Sequence, residues 1–358
     1  MLESYTKQNA ADELTWSPLK WATIGEQTGW EQYRYSEFAA NETNEYSEKL
    51  FGRMNPTDWL SVRADTSYSW RRYNDYNWAA FLGNLGVASG AENPYLRDVD
   101  LANRNRSVGN LYADITTPIS GLTITPTAGW RWDDYPADSS ILAAGGTQVG
   151  LQTDHHWNAG VEADWTVNSN VSFVLSYTYE KIAQTMIGAN TANQYYDASM
   201  GEDVHTLTGG ANFQLIPDRL SLKLSATYEF ANDLWNTSPG PGCLAANAGN
   251  GQNCGLVSPG NPAYPAENTR FSHVDATMTY KLDPTFVAQL GKGGEAYLQL
   301  HYLWERNNVT NWQNDGLSPY MYSTLNSSTV AFKDMIFMAG DNPNYNAQAI
   351  AASFIVKW

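Results

Sequence analysis

Ten ionisable residues recur at one phase of a two-residue alternation: Arg131, Asp133, Glu162, Asp164, Glu180, Lys223, Glu229, Glu295, His301 and Glu305. Residues two apart in an extended chain point to the same side, so each shares a face with polar neighbours and lies opposite an apolar row. The set is predominantly acidic. Such a wall suits a cationic guest or a basic protein surface, and it equally suits a wet interior with no guest. The chain has no CxxCH haem-attachment sequence, no GxxxxGK[ST] phosphate loop, no GxSxG nucleophile turn and no zinc-type His/Cys spacing. No catalytic, cofactor-binding or metal-ligating residue is therefore assigned, and no Ser/His/Asp set on one face supports an outer-membrane hydrolase.

Three smaller features carry weaker chemistry. His155-His156 is the one histidine pair, and adjacent strand residues face opposite sides, so a solvated strand end is favoured over a shared metal. Asp133-Asp134 and the Asp/Asn-rich loops offer oxygen ligands to Ca²⁺, a reading that competes with ordinary loop polarity. Cys243 and Cys254 close a short loop and read as a disulfide made in an oxidising compartment, with two free thiols as the alternative.

The elements that must position these groups are long strands. In Leu220–Phe230, LSLKLSATYEF, every second residue from Leu220 to Phe230 is apolar and every residue between is polar. The apolar side grades from aliphatic to aromatic, with Tyr228 and Phe230 at one end. A transmembrane β-strand needs that grading, with aliphatics in hydrocarbon and aromatics at the lipid–water boundary. Eleven residues at ~3.3 Å each, tilted roughly 40°, reach about 25–28 Å, the height of the apolar band of an outer-membrane barrel.

The totals agree. The 358 residues hold 14 Trp, 22 Tyr and 28 Gly with a mean hydropathy of −0.45, a combination expected of a sheet with one greasy and one wet face. No run of eighteen apolar residues exists, which excludes a helical span. The net charge of −16 argues against nucleic acid as a partner. Met1 is followed by LESYTKQNAADEL, which lacks the basic start and apolar core of a secretion signal, so the expectation is a mature segment or a piece of a longer product.

In chain order, residues 1–56 are poorly legible, with two possible strands at Leu14–Thr23 and Trp30–Phe38 and a polar Glu42–Leu50 that equally suits a helical turn. From 57 to 358 the period-2 signal is firm. Strands are expected from Asp58 to Trp70, then at Ser107–Thr116, Leu122–Asp133, Trp157–Thr166, Val171–Lys181, Val204–Leu215, Leu220–Phe230, Phe271–Leu282, Ala296–Arg306 and Ala347–Trp358. Pro126, with no N–H to donate, should leave one ladder bond unmade, at a bulge. Short links such as Ile216-Pro217-Asp218-Arg219 alternate with long loops such as Ala231 to Asn268, as in barrels with short periplasmic turns and long outer loops. Trp130, Trp132, Tyr177, Tyr179, Tyr228, Phe230, Tyr302 and Trp304 precede the long loops and read as the outer aromatic girdle. The fold expected is an all-β, transmembrane, antiparallel up-and-down β-barrel contributing ten to twelve strands. The last strand ends Phe354, Val356, Trp358 on one face, which resembles the terminal signal of bacterial outer-membrane barrels read by their insertion machinery.

Two stretches carry a family resemblance. Pro94-Tyr95-Leu96-Arg97 precedes Leu101-Ala102-Asn103-Arg104-Asn105-Arg106, and Tyr302-Leu303-Trp304-Glu305-Arg306-Asn307-Asn308-Val309 precedes Asn311-Trp312-Gln313-Asn314-Asp315. With the terminal strand, these resemble the C-terminal part of the MtrB/PioB family, outer-membrane β-barrels that sheathe a multihaem cytochrome. The resemblance implies a non-enzymatic sheath in the Gram-negative outer membrane, with no cofactor of its own. Its partners would be outer-membrane lipid, the insertion machinery, a decahaem c-type cytochrome held in the lumen and a surface cytochrome, the haem belonging to the cytochromes. Family members are about twice as long, and a CxxC carried by some in the N-terminal half has no counterpart here. Barrels wide enough for a channel have about sixteen strands or more, so ten to twelve imply part of a larger barrel or a small cation-selective porin without a haem partner.

Overall fold

The alternation is realised as extended chain almost throughout. A computed structural model describes residues 4–36, 40–76, 103–136, 150–189, 195–239, 264–283, 294–311, 320–322, 335–337 and 344–357. Among these the strands are β1 (Tyr5–Leu19), β2 (Ala22–Tyr35), β3 (Ala40–Thr57), β4 (Leu60–Tyr76), β5 (Arg104–Thr116), β6 (Leu122–Asp134), β7 (Gly150–Asn168), β8 (Val171–Ala189), β9 (Tyr195–Ile216), β10 (Leu220–Pro239), β11 (Glu267–Lys281), β12 (Glu295–Thr310), β13 (Tyr320–Tyr322), β14 (Met335–Phe337) and β15 (Tyr345–Lys357). Thirteen of them follow one another in chain order, β1 to β12 and then β15, as hydrogen-bonded neighbours in one up-and-down sheet. The short β13 and β14 pair only with each other.

The first 57 residues form three full strands, where two strands and a helical turn were expected. The Leu14–Thr23 stretch is not one strand: the chain turns at Lys20-Trp21, with Leu19 opposite Ala22 and a register shift between Trp16 and Leu19 around Pro18. Glu42–Leu50 lies wholly within β3, paired to Glu26–Arg34 of β2 on one side and to Thr66–Asn74 of β4 on the other. Pro126 leaves no paired partner at its own position, yet the register is the same on both sides of it, Tyr112 opposite Thr127 and Ile115 opposite Ile124. No bulge forms there. The Thr125 hydroxyl bridges the gap by donating to Asp114 Oδ1 at 3.1 Å.

The chain divides into two compact units. The first comprises Met1–Ala163, Thr178–Asp203 and Leu234–Tyr264; the second comprises Asp164–Tyr177, Val204–Asp233 and Pro265–Trp358. In the first, pairing from β1 through β6 sorts side chains as the sequence dictates. One face carries Leu60, Val62, Ala64, Tyr68 and Trp70 of β4 beside Leu111 and Ala113 of β5, while the other carries Arg63, Asp65, Ser67, Ser69 and Arg71 beside Arg104, Arg106 and Asn110. In the second, β10, β11, β12 and β15 do the same: Leu222, Met278, Leu300 and Ala352 share one row, and Lys223, Thr277, His301 and Ala351 the next. The link Ile216-Pro217-Asp218-Arg219 closes tightly because Pro217 presets its own φ and Asp218 takes a left-handed φ of 60° that aspartate tolerates. Arg219 N–H then donates to the Ile216 carbonyl at 3.0 Å.

Candidate functional site

On the polar face of the first unit, facing charges from five strands lock into a belt. Arg104 at the start of β5 forks onto both oxygens of Glu45 on β3, at 2.8 and 2.9 Å. Two residues on, Arg106 forks onto Asp133 of β6 at 2.6 and 2.7 Å. Asp133 is 1% exposed, the most enclosed large side chain among the described residues. Arg131 Nε lies 3.7 Å from that carboxylate, and its Nη2 donates to Asp154 of β7 at 3.0 Å and lies 2.5 Å from His156 Nε2. The His156 ring lies between two carboxylates, with Nε2 3.0 Å from Asp154 Oδ1 and Nδ1 2.9 Å from Glu180 of β8. Gln184 Nε2 completes the belt on Asp154 Oδ1 at 3.0 Å. Three guanidinium groups thus answer four carboxylates, so the belt is close to neutral rather than acidic. Bidentate charge-assisted bonds of this kind are both strong and geometrically exacting.

Beside the belt lies a polar hollow of about 530 Å³ on β1 to β5. Ala11, Gly29, Ser47, Ser67 and Ser69 keep its floor low, and Lys49, Glu45 and Arg104 rim it. Ser69 donates to Glu45 at 2.7 Å, which ties floor to rim.

In the second unit a smaller network repeats the design. His273 of β11 meets Glu305 of β12 at 3.3 Å, His301 meets Asp275, and Tyr345 of β15 donates to Glu305. Glu295 accepts from Lys281 and from Tyr297, and Glu229 accepts from Thr206 at 3.3 Å. Lys223, Glu162 and Asp164 are exposed on their strands. All ten ionisable residues singled out from sequence are therefore placed: Arg131, Asp133 and Glu180 in the belt, Glu229, Glu295, His301 and Glu305 in local pairs, and three at the solvent.

Sequence reasoning did not single out Glu45, Asp154, His273 and Asp275; it named Arg104 and Arg106 only for the family resemblance and His156 only as part of a solvated strand end, whereas His156 is largely enclosed between Asp154 and Glu180. The alternation Asn103-Arg104-Asn105-Arg106 was a usable signal, since it puts both arginines on one face and both asparagines on the other. There Asn103 Oδ1 accepts the Tyr73 N–H at 3.1 Å and Asn105 Oδ1 accepts from Arg72 at 2.8 Å. His155 and His156 diverge as expected, His155 turning to Asp134 at 3.0 Å on the opposite face. Asp133 and Asp134 likewise serve different partners, so they do not act together as a Ca²⁺ ligand pair. Cys243, Cys254, Trp358 and most of the Asp/Asn-rich loops lie outside the described residues.

The aromatic residues cluster on the apolar face. Trp130 and Trp132 sit 6.3 Å apart, Trp157 meets Tyr179 edge-on at 5.1 Å, and His205 is flanked by Tyr177 at 6.1 Å and Phe230 at 6.4 Å. Trp304 donates to Asn346 at 3.0 Å, while Tyr228 and Phe354 stand exposed and Tyr302 and Val356 half-exposed. Trp130 lies flat over Gly109 of β5, where a Cβ would come within 2.1 Å of the indole, and its N–H donates to Ser107 at 3.2 Å. Gly109→Val should push the indole off the sheet, cost about 1–3 kcal/mol as overpacking does, and shift the tryptophan emission. Unchanged emission with unchanged urea midpoint would show that Trp130 does not rest there.

An up-and-down antiparallel sheet with one aromatic-rimmed apolar face and one ionic face defines the class: an outer-membrane β-barrel protein of Gram-negative bacteria. Within that class the chain belongs to the outer membrane beta-barrel porin family MtrB/PioB, whose profile matches residues 2–358. Its fold is similar to that of the ferric-catecholate import receptor Fiu from E. coli K12, with a TM-score of 0.52 at 10% identity over 86% of this chain and 56% of the receptor. It also matches, with a TM-score of 0.38 and 9% identity, the siderophore receptor PirA from Acinetobacter baumannii, over 98% of this chain and 64% of that one. OmpT, an outer membrane protein of Vibrio cholerae, matches with a TM-score of 0.27 and 11% identity over 85% of this chain and 86% of its own. The chain thus spans little more than half the length of the import receptor. No curated protein matches it in sequence.

Proposed function

We propose that the polar face lines the lumen of an outer-membrane barrel that holds and insulates a multihaem c-type cytochrome, so that electrons cross the membrane through the guest's haems. The observation that carries this reading is the belt. A sheath must contact a protein guest closely without concentrating ions or leaving charges unpaired at the contact, and side chains that satisfy one another do that. The Arg104 and Arg106 that anchor the belt fall within one of the two stretches that resemble the family, and Glu305 of the second network falls within the other. Haem chemistry would come entirely from the guest.

A small cation-selective porin is the second reading, favoured by the exposed Asp164 on β7. Fixed charge selects ions when it is left unneutralised, and three of the belt's four carboxylates are paired with arginine. The pairing favours the sheath over the porin.

The test is to purify the tagged, membrane-inserted chain from its own outer membrane and record the haem Soret band near ~410 nm. Stoichiometric haem is expected. A properly inserted barrel with no haem and a cation-selective single-channel conductance would overturn the sheath in favour of the porin.

A further inference from the structure

We infer that the apolar face of β1 to β3 is covered in the outer membrane by a second protein, one that presents Lys or Arg side chains to Glu26 and Glu48 between apolar residues. The inference rests on the outer-membrane assignment and not on the haem reading.

Register identifies the anomaly. Across β1, β2 and β3 one row of this face runs Trp16, Ile24, Gly52, the next Leu14, Glu26, Leu50, and the next Asp12, Thr28, Glu48. Above them stand the aromatics Trp30 and Tyr46, directly opposite each other. Glu26 and Glu48 therefore lie between an aromatic rim and the turn end of their strands, at positions where a lipid-facing strand carries only apolar residues. Counted from their turns, the other strands carry no charge there, and Thr66 is the one polar residue of the set. The corresponding residues are Val62, Ala64 and Thr66 on β4, Ile124, Pro126 and Ala128 on β6, Phe173 and Leu175 on β8, Leu222, Leu224 and Ala226 on β10, and Leu298 and Leu300 on β12.

None of the three carboxylates has an ion-pair partner among the described residues. Asp12 accepts only from the Thr28 hydroxyl, at 2.5 Å, and Glu26 and Glu48 are both exposed. The cations of β1 to β3 lie elsewhere: Lys7 is held by Glu31 and Lys49 by Asp65 on the polar face, Arg34 by Glu42 near the strand ends, and Arg53 stands in the row of Thr23 and Arg63, on the face away from Glu26 and Glu48. Hydrocarbon offers carboxylates neither water nor countercharge, so acyl chains are a poor cover.

Beside Glu26 is a hollow of about 720 Å³, walled by Leu14, Trp16, Leu50, Leu111 and Trp130 and shallow because Gly52 and Ala64 add so little bulk. An apolar hollow next to uncompensated carboxylates is complementary to a protein surface that mixes apolar side chains with basic ones. A second copy joined through the same patch would set carboxylates against carboxylates across its two-fold axis.

The test places a photo-reactive p-benzoylphenylalanine at Leu50 in the full chain in its own outer membrane, with Leu175 on β8 as the control position. At Leu50 the expected product is an adduct to a different protein, with Lys or Arg in the crosslinked peptide, and at Leu175 it is lipid only. Glu26→Gln with Glu48→Gln should reduce the Leu50 adduct by about tenfold or more, as loss of a desolvated charge pair does. Cold-gel mobility reports insertion, and either single Gln variant carries the same comparison where the double variant fails to insert. Lipid adducts alone at Leu50, an adduct to a second copy of this chain, or a protein adduct indifferent to the Gln variants would overturn the inference.

Discussion

Arg106→Ala is expected to cost about 3 kcal/mol or more, because it strands a carboxylate that the fold has enclosed. Asp133 is 1% exposed and takes its two short bonds from Arg106. What remains beside it is Arg131 Nε at 3.7 Å, beyond hydrogen-bond range. Arg106→Lys keeps the charge but loses the fork, so its cost should fall between wild type and Ala. Replacing both partners, Arg106→Met with Asp133→Leu, removes the charge and its desolvation together and should recover most of the loss. Urea unfolding of the barrel in detergent micelles, read by gel mobility and tryptophan emission, measures all three. A single Ala variant within about 0.5 kcal/mol of wild type would mean that water or another side chain already serves Asp133, and that the belt is not the rigid wall described.

The same belt shows where sequence reading stops. That Arg131 and Asp133 share a face follows from alternation alone. That Arg106 meets Asp133, 27 residues on, and Arg104 meets Glu45, 59 residues back, depends on strand register, which a single sequence does not display. Strands such as β10 were legible between Leu220 and Phe230 because hydrocarbon on one side and water on the other force strict sorting. The extension to Pro239 was not, because a ladder that continues into water has no apolar side to mark it. The early start of β9 at Tyr195 and the continuation of β8 to Ala189 were missed for the same reason. The first 57 residues failed differently. Asp12, Glu26 and Glu48 break the apolar row, so three ordinary strands looked like fragments. A reading tuned to lipid-facing strands goes blind where the face is not built for lipid.

Leu224→Arg is the sharpest test of which face meets the membrane. Leu224 stands near the middle of the apolar-alternating Leu220–Phe230 stretch of β10, opposite Ala276 of β11, whose other neighbour is Tyr302 of β12. A guanidinium there sits at mid-height in hydrocarbon and should cost about 2–4 kcal/mol in lipid bilayers. One residue along, Ser225→Arg projects from the other face, opposite Asp275, whose carboxylate can receive it. That substitution should cost well under 1 kcal/mol. The two variants differ by one position and add the same charge, so composition and strand propensity cancel and only the side of the sheet remains. Equal costs would remove the lipid-facing assignment of β10. The predicted asymmetry would also sharpen the anomaly on β2 and β3: if lipid rejects a charge at Leu224, the carboxylates of Glu26 and Glu48 on the corresponding face need something other than lipid to lie against.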